Sequence, residues 1–130
     1  MCRRKKPPYA GMLNFVGGHI EAGEDHENAA YRELYEETGI DRELIRLVNV
    51  MNLSYPRETD ILCEVWAGKL GRYLTVSGDE NPLIWVSTDS DFSDISRFAG
   101  EGNIHHMMKY IEIYWEQIFG DHKIVPLGIC

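Results

Sequence analysis

The sequence predicts an α/β domain in which a curved mixed sheet is flanked by an early helix and a late helix. Short β-forming runs separated by turn residues indicate the strands, and two segments with helical periodicity indicate the helices. The chain has 130 residues, 44% hydrophobic and 26% charged. That length and balance suit one globular domain, so we expect residues 1–130 to form a single domain, although the pattern leaves its topology open.

Five apolar runs have the length and composition of strands. The first, 13–16, ends in Gly17-Gly18, as expected of a strand entering a tight turn. The others are 45–53, 61–67, 70–76 and 83–86. Residues 54–58 are expected to form a loop or hairpin connection between the second run and the third.

Two helices are predicted. Residues 25–38 have a buried stripe of Ala29, Ala30 and Leu34, and Gly39 follows as a stop signal. Near the end of the chain, apolar residues recur at steps of four and three, which is the spacing of a core-facing amphipathic helix. These are Ile104, Met108, Ile111, Trp115 and Ile118.

The charge of the chain limits its partners. Its net charge is −8, which argues against a nonspecific grip on a nucleic-acid polymer. No apolar run approaches the roughly 20 residues that span a bilayer, so we expect no membrane partner. Cys2, Cys63 and Cys130 show neither paired spacing nor a zinc motif, which favours a reducing, cytoplasmic location.

Three glutamates on the early helix predict a metal site. Glu33, Glu36 and Glu37 stand at i, i+3 and i+4, which places their carboxylates on one face. Like charges at this spacing destabilise a helix unless cations lie between them, and Mg²⁺ is bound by carboxylates together with substrate phosphates. Arg32 is within reach of Glu36 or Glu24 and could hold one carboxylate with two parallel hydrogen bonds.

The spacing around these glutamates is similar to the Nudix box. Gly18 is followed after five residues by Glu24, and after seven more by Arg32-Glu33-Leu34. One residue later come Glu36-Glu37 and, after one more, Gly39-Ile40, so every fixed position of the motif is filled. So many specified positions over 23 residues make chance agreement very improbable.

The resemblance implies a fold, a cofactor and a set of roles. The fold would be the Nudix α/β/α sandwich, with the box forming a loop–helix–loop against the sheet. Glu36 and Glu37 would be the principal Mg²⁺ ligands, and Mn²⁺ is the alternative ion. Glu33 would be a further ligand or the base that activates water, and the Gly17 carbonyl an additional ligand. Arg32 would hold the cluster, and Glu24 would orient it.

The sequence before the box resembles the MutT-like nucleoside-triphosphate pyrophosphohydrolases, and this resemblance implies substrate contacts. In some of these enzymes an asparagine at the place of Asn14, beside Phe15, reads a purine edge; alternatively, Asn14 caps a strand turn. Arg3 and Arg4 would meet phosphates, or are solvated charges near the chain start.

Two further positions in the later half of the chain resemble functional residues of the same enzymes. Glu80 would add a metal contact, or is a plain turn acid. Phe98 and Glu101 precede the late helix, where related enzymes place groups that contact the base. Phe98 could stack on a base and Glu101 could accept a hydrogen bond from it.

Three functions follow, in order of preference. The first is Mg²⁺-dependent cleavage of a nucleoside triphosphate, with an oxidised purine as one candidate, into monophosphate and pyrophosphate. The second is an ADP-ribose or nucleotide-sugar pyrophosphatase. The third is a non-catalytic nucleotide sensor, a class that usually loses box glutamates. Family members carry a full strand before the segment equivalent to Arg3-Arg4, so the sheet is either one strand short or continues upstream, and monomer and homodimer both stay open.

Overall fold

A computed structural model of the protein describes residues 1–56 and 60–120. The described part contains four strands and three helices in the order ββαββαα. They are β1 (Cys2–Arg3), β2 (Leu13–Asn14), α1 (His26–Thr38), β3 (Val48–Tyr55), β4 (Ile61–Ala67), α2 (Asn103–Ile113) and α3 (Trp115–Phe119).

Helix α1 begins and ends where its sequence predicts. The Asp25 carboxylate accepts a hydrogen bond from the Asn28 backbone N–H at 3.0 Å, which satisfies one of the free donors of the first turn. At the other end Gly39 adopts φ 76°, and its N–H donates to the Tyr35 carbonyl. A residue with a Cβ is disfavoured in that left-handed conformation, so the glycine ends the helix cleanly.

Strands β3 and β4 form an antiparallel hairpin that separates two layers of helix. Val65 and Ala67 on β4 pack with Met107, Ile111 and Trp115 of the late helices. Trp66, which lies between them in sequence, faces the opposite side and packs on the core next to α1. This alternation is the period-two pattern of a strand buried on both faces, and it places helices on either side of the hairpin.

The remaining strand pairing is short. Strands β1 and β2 pair antiparallel, and isolated bridges join Cys2 to Leu83 and Leu13 to Phe98, the latter in parallel. Leu13 and Phe98 are each 1% exposed and belong to a third core cluster with Phe92 and Ile104. The described residues therefore form two antiparallel two-stranded sheets, β1–β2 and β3–β4, and their parallel pairing is limited to the Leu13–Phe98 bridge.

Some predicted strands are wrong or shorter than expected. Residues 70–76 form no strand: Leu74 and Val76 pack on the α1 core without a partner backbone, so their alternation reflects packing of an extended segment. Residues 83–86 contribute one bridge, because Pro82 has no N–H to continue a ladder beside β1. The first predicted strand, 13–16, is reduced to Leu13–Asn14. Strand β3 starts later than predicted and includes Ser54 and Tyr55, while residues 57–59 of the predicted connection lie outside the described residues.

The predicted late helix is present, but it is divided into two helices. Ile104, Ile111 and Trp115 are at most 4% exposed, while Met108 and Ile118 pack at the edges of the core. At Tyr114 the backbone leaves helical geometry, with φ −102° and ψ 26°, and divides the segment into α2 and α3. None of the described helices has both the length and the apolar character needed to cross a bilayer.

Candidate active site

The centre of the predicted site is the Arg32 guanidinium, whose five N–H donors all find acceptors. Nε and Nη2 donate to the two oxygens of Glu24 at 2.7 and 2.9 Å. Nη1 donates to Glu33 at 2.8 Å and to Glu36 at 3.1 Å, and Nη2 also reaches the His19 carbonyl at 3.0 Å. A single planar cation therefore joins the loop before α1 to two carboxylates on the helix, a geometry that lysine cannot reproduce.

These contacts shift the pKa values of both partners. The hydrogen bonds from Arg32 lower the pKa of Glu24 to about 2, and a backbone hydrogen bond in the Glu21–Glu24 turn adds to that effect. Glu24 also accepts from the Glu21 N–H at 3.0 Å. The hydrogen bonds to Glu24 and Glu33 raise the pKa of Arg32. Glu24 is therefore a charged anchor that fixes the loop to the helix.

Glu37 faces a different neighbour. Its pKa is raised to about 6, first by partial burial and then by the charge of Glu80 and a side-chain hydrogen bond with it. Glu33 and Glu36 add smaller effects in the same direction. The turn that carries Glu80 is held against the end of α1, because Ser77 N–H donates to the Thr38 carbonyl at 3.2 Å. Two carboxylates from distant parts of the sequence thus meet, and no Lys or Arg side chain of residues 1–56 and 60–120 forms an ion pair with Glu37 or Glu80.

Gly18 lies directly against the carboxylate cluster. A Cβ added at this position would overlap both oxygens of Glu33, so any larger residue would displace that carboxylate from its present place. Gly17 precedes it in the chain, and the role of its carbonyl as a metal ligand stays a prediction.

The three helix carboxylates divide between two neighbours, and their binding of a metal stays a prediction. Across residues 1–56 and 60–120, no group of three or more His, Cys, Asp or Glu side chains is arranged to hold a metal ion. Glu33 and Glu36 turn toward Arg32, whereas Glu37 turns toward Glu80. The cluster is divided because the guanidinium attracts two of the three helix carboxylates.

The N-terminal arginines contact a neighbouring loop. Arg3 donates through Nη1 to the Gly11 carbonyl at 2.8 Å, and Arg4 through Nε to the Pro8 carbonyl at 2.8 Å. Backbone hydrogen bonds from Arg4 to Met12 and from Gly11 to Arg4 continue the β1–β2 pairing into this loop. The structure thus gives both side chains a local structural role, and their predicted contact with phosphates stays a prediction.

Asn14 is placed on β2 with its side chain folded onto the strand. Its Oδ1 accepts a hydrogen bond from the Phe15 N–H at 2.9 Å, which agrees with the strand-capping alternative. Phe15 is half-buried between two core clusters. Both residues stand just before Gly17-Gly18 in the chain, and their role in reading a base stays a prediction.

Phe98 is a core residue, which corrects its predicted base-stacking role. It is 1% exposed, and its ring centroid lies 5.0 Å from that of Phe92, so it offers no free face to a base. Glu101 is exposed and accepts hydrogen bonds from the Tyr9 hydroxyl at 2.7 and 2.6 Å. Of this predicted pair, only Glu101 is accessible to a ligand.

Comparison with known proteins identifies the family. Residues 1–98 match the family model of the NUDIX domain. The matched residues are most of the chain and include the whole box. The chain belongs to the Nudix family. The prediction drawn from the box at Gly18 to Ile40 is thereby confirmed.

Two individual proteins show further likeness to this Nudix chain. An RNA pyrophosphohydrolase of Roseobacter denitrificans is 41% identical over 54 residues, which cover 40% of this chain. The matched segment covers 34% of the relative, so the likeness extends over about a third of that protein's length. The crystal structure of a C. elegans Ap4A hydrolase binary complex superposes with a TM-score of 0.70 at 20% identity, covering 90% of this chain and 85% of the other. That likeness confirms the α/β fold expected of a Nudix domain.

The donor set fits the divalent metal that Nudix enzymes generally use. Glu37 and Glu80 present hard oxygen ligands at a point where two carboxylates repel each other, and Glu36 is more than half exposed on the same helix. Mg²⁺ and Mn²⁺ favour oxygen ligands of this kind, and a cation there would offset both the partial burial and the repulsion from Glu80 that raise the pKa of Glu37.

A second polar contact beside the box helix was not predicted. His26 Nδ1, in the first turn of α1, lies 2.6 Å from Glu64 Oε1 on β4. The other oxygen of Glu64 accepts from the Trp66 indole at 3.3 Å, and the Glu64 side chain is only 13% exposed. Glu64 is an acid within a run of β-forming residues, and that was the available signal in the sequence. Its pairing with His26 could not be predicted, because local spacing does not reveal contacts between distant elements. This contact ties the start of the Nudix helix to the sheet.

Proposed function

We propose that the protein is a Mg²⁺-dependent Nudix hydrolase that cleaves a phosphoanhydride bond of a nucleoside triphosphate into monophosphate and pyrophosphate. The proposal rests on two groups of carboxylates that lie side by side at the box helix. Arg32 clamps Glu24, Glu33 and Glu36, while Glu37 and Glu80 face each other and have no basic side chain as a partner within the described part of the chain. A salt-bridge network that only stabilises the fold would not place two carboxylates, Glu37 and Glu80, against each other.

We assign roles to the residues of this cluster as follows. Glu36, Glu37 and Glu80 would hold the ion, and the Gly17 carbonyl would complete the protein's share of ligands. When bound, the ion neutralises phosphate charge and lowers the pKa of water. Glu33 is oriented by Arg32 through one oxygen, which leaves its second oxygen to bind the ion or accept a proton. Arg32 and Glu24 keep these carboxylates in position.

The proposed substrate follows from the segment before the box. Nucleoside triphosphates, with oxidised purines among them, are our first candidate because of the likeness of the segment before the box to MutT-like enzymes. ADP-ribose and nucleotide sugars are the alternative. The names of the similar proteins add two substrates to be tested, Ap4A and an RNA, whose phosphoanhydride would have to lie at a 5′-polyphosphate end. The net charge of −8 favours a small nucleotide over a polymer.

A substrate panel tests this proposal. The protein would be incubated with Mg²⁺ or Mn²⁺ and with nucleoside triphosphates, 8-oxo-dGTP, ADP-ribose, a nucleotide sugar, Ap4A and a 5′-triphosphorylated RNA. Separate detection of pyrophosphate and orthophosphate reports which bond is cut. We expect pyrophosphate release from triphosphates that stops when EDTA is added. Equal or better turnover of ADP-ribose or sugar nucleotides would overturn the substrate choice, and binding without turnover of any compound would favour the sensor.

We also propose a reducing, cytoplasmic location. Cys2 is buried and Cys63 half-buried, both as free thiols, and burial raises the pKa of each. Cys130 lies outside the described residues. Raised thiol pKa values make these cysteines poor nucleophiles, which suits residues that serve packing. Monomer and homodimer remain alternatives that sedimentation velocity would distinguish.

A further inference from the structure

His26 and Glu64 join the first turn of the Nudix helix to strand β4. His26 Nδ1 lies 2.6 Å from Glu64 Oε1, which is as short as hydrogen bonds between charged groups. An ionised carboxylate can only accept, so Nδ1 carries the proton. The Glu64 side chain is 13% exposed, and of the described residues His26 is the one that pairs with Oε1. Removal of the histidine would therefore leave a largely buried carboxylate oxygen without its partner, which is unfavourable.

His26 lies on the same line of the helix surface as two carboxylates of the proposed metal site. Glu33 and Glu37 follow it by seven and eleven residues within α1. An α-helix turns by about 100° per residue, so both positions return to within about 20° of the direction of His26. The line runs along the helix for roughly 16 Å. A rotation of α1 about its axis at His26 therefore turns both carboxylates in the same sense.

Apolar packing gives this end of α1 little hold against rotation. In residues 26–32 the buried side chains are Ala29 and Tyr31, and Ala30 is partly buried. The alanines have no atom beyond Cβ to interlock with the sheet. The Tyr31 hydroxyl accepts a hydrogen bond from the Leu47 N–H at 2.9 Å, about 140° around the helix from His26. The contacts of Tyr31 and His26 thus hold the start of α1 at two edges of its buried face.

We infer, on the basis of the proposed function, that His26 and Glu64 are positioning residues that fix the rotation of the Nudix helix. Through the helix they determine the direction in which Glu33 and Glu37 present their carboxylates. In the described part of the chain neither residue of the pair is hydrogen-bonded to the carboxylate cluster, so the pair acts on the metal site from a distance. Its geometric effect can be observed without metal or substrate.

Three variants separate this role from general stabilisation. His26→Ala removes the donor, whereas His26→Asn places an amide N–H where Nδ1 lies and should preserve the contact. Asn28→Ala is the matched control. It removes the hydrogen bond of 3.2 Å from Arg42 to the Asn28 side chain, in the same turn but about 160° away around the helix, and it keeps the backbone N–H that caps the helix.

Two measurements on the full chain report on the carboxylates. NMR spectra without metal would follow the Nε–H of Arg32 and the backbone N–H groups of Glu33 and Glu37, and we expect His26→Ala to shift these signals. Electron paramagnetic resonance of free Mn²⁺ would give the metal affinity. We expect His26→Ala to weaken Mn²⁺ binding about three- to tenfold, somewhat less than the loss of a group that touches a metal ligand directly. His26→Asn and Asn28→Ala should stay within about twofold of the wild type.

A double-mutant cycle tests whether the histidine acts through Glu64. Glu64→Ala should weaken Mn²⁺ binding to a similar degree, and His26→Ala added to it should weaken binding no further. Unchanged Mn²⁺ affinity and unchanged Glu33 and Glu37 signals in folded His26→Ala would overturn the inference, and so would equal losses in Asn28→Ala. If Glu64→Ala does not fold, rescue by His26→Asn decides. A wild type that binds no Mn²⁺ would contradict the proposed function alone, and the metal-free signals would then decide the inference.

Discussion

Single residues determine the geometry of the carboxylate cluster, and Arg32 has the largest part in it. The sequence predicted that Arg32 would reach Glu24 or Glu36, and the structure shows both contacts. Its contact with Glu33 could not be predicted, because neighbours in sequence do not face each other on a helix. That contact requires the long arginine side chain to bend across the helix surface, a choice that only the tertiary structure fixes.

Substitution of Gly18 tests the close approach of backbone and carboxylate. Gly18→Ala places a methyl group where the Glu33 carboxylate lies, so Glu33 has to move away from Arg32. We expect turnover to fall about 10- to 100-fold, the usual effect of disturbing groups that orient metal ligands, with little change in melting temperature. Steady-state kinetics and thermal unfolding measure the two. Gly71→Ala is the matched control, since nothing lies within 4 Å of a Cβ there, and an equal loss in that variant would contradict this interpretation.

The Glu24–Arg32 pair predicts a change of stability with pH. The pKa of Glu24 is about 2 in the folded protein against an ordinary value of 4.5, so the pair stabilises the fold above pH 4.5. That stabilisation is lost as the pH falls toward about 2. The difference in unfolding free energy between the wild type and Glu24→Gln, measured with urea, should therefore shrink between pH 5 and pH 2. A constant difference over that range would show that Glu24 stabilises the fold by packing instead.

At the scale of elements, capping residues and apolar spacing predicted the helices. The box helix was predicted to within one residue, because Asp25 and Gly39 mark its ends with specific backbone chemistry. The late helix followed from its apolar spacing, although its break at Tyr114 did not. Segment 70–76 misled the prediction, since an extended chain packed on a core has the same alternation as a strand. Strand formation needs a partner backbone, and local sequence does not reveal one.

The N-cap of the box helix gives an element-scale prediction. Asp25→Ala removes the acceptor for the Asn28 N–H and should reduce the unfolding free energy by about 1 kcal/mol. Asp25→Asn keeps an oxygen at that position and should cost much less. Urea unfolding of both variants measures the difference. If the two substitutions are equally destabilising, the charge of Asp25, rather than its hydrogen bond, is what matters.

For the whole molecule, the sequence predicted the α/β class and the two helix layers, and the comparison with a solved structure confirmed the α/β fold. It did not predict which loop residues would be buried. Phe98 was interpreted as a base-contacting residue because it stands before the late helix, yet a parallel bridge to Leu13 draws it into the core. Such long-range contacts join segments 85 residues apart, a distance over which sequence patterns carry no information about pairing.

The burial of Phe98 predicts a global effect of its substitution. Phe98→Ala should destabilise the protein by about 3–5 kcal/mol, because it leaves a cavity in the cluster with Leu13, Phe92 and Ile104. Phe98→Leu should cost much less, since most of the volume is kept. Among nucleotides, relative turnover by the folded Phe98→Leu variant should be unchanged. A selective loss for purines with normal stability would return Phe98 to the base-contacting role.

The most direct test of the proposed hydrolase is the turnover of Glu37→Gln. Glu37 combines a partly buried carboxylate with an opposing acid, so the amide keeps its size and removes the charge that a divalent cation requires. Glu27→Gln, an exposed glutamate in the first turn of the same helix, is the matched control. With saturating Mg²⁺ and the best nucleotide of the panel, we predict that Glu37→Gln loses at least about a hundredfold in kcat while remaining folded, and that Glu27→Gln is unchanged. Normal turnover by folded Glu37→Gln would contradict the proposed metal site.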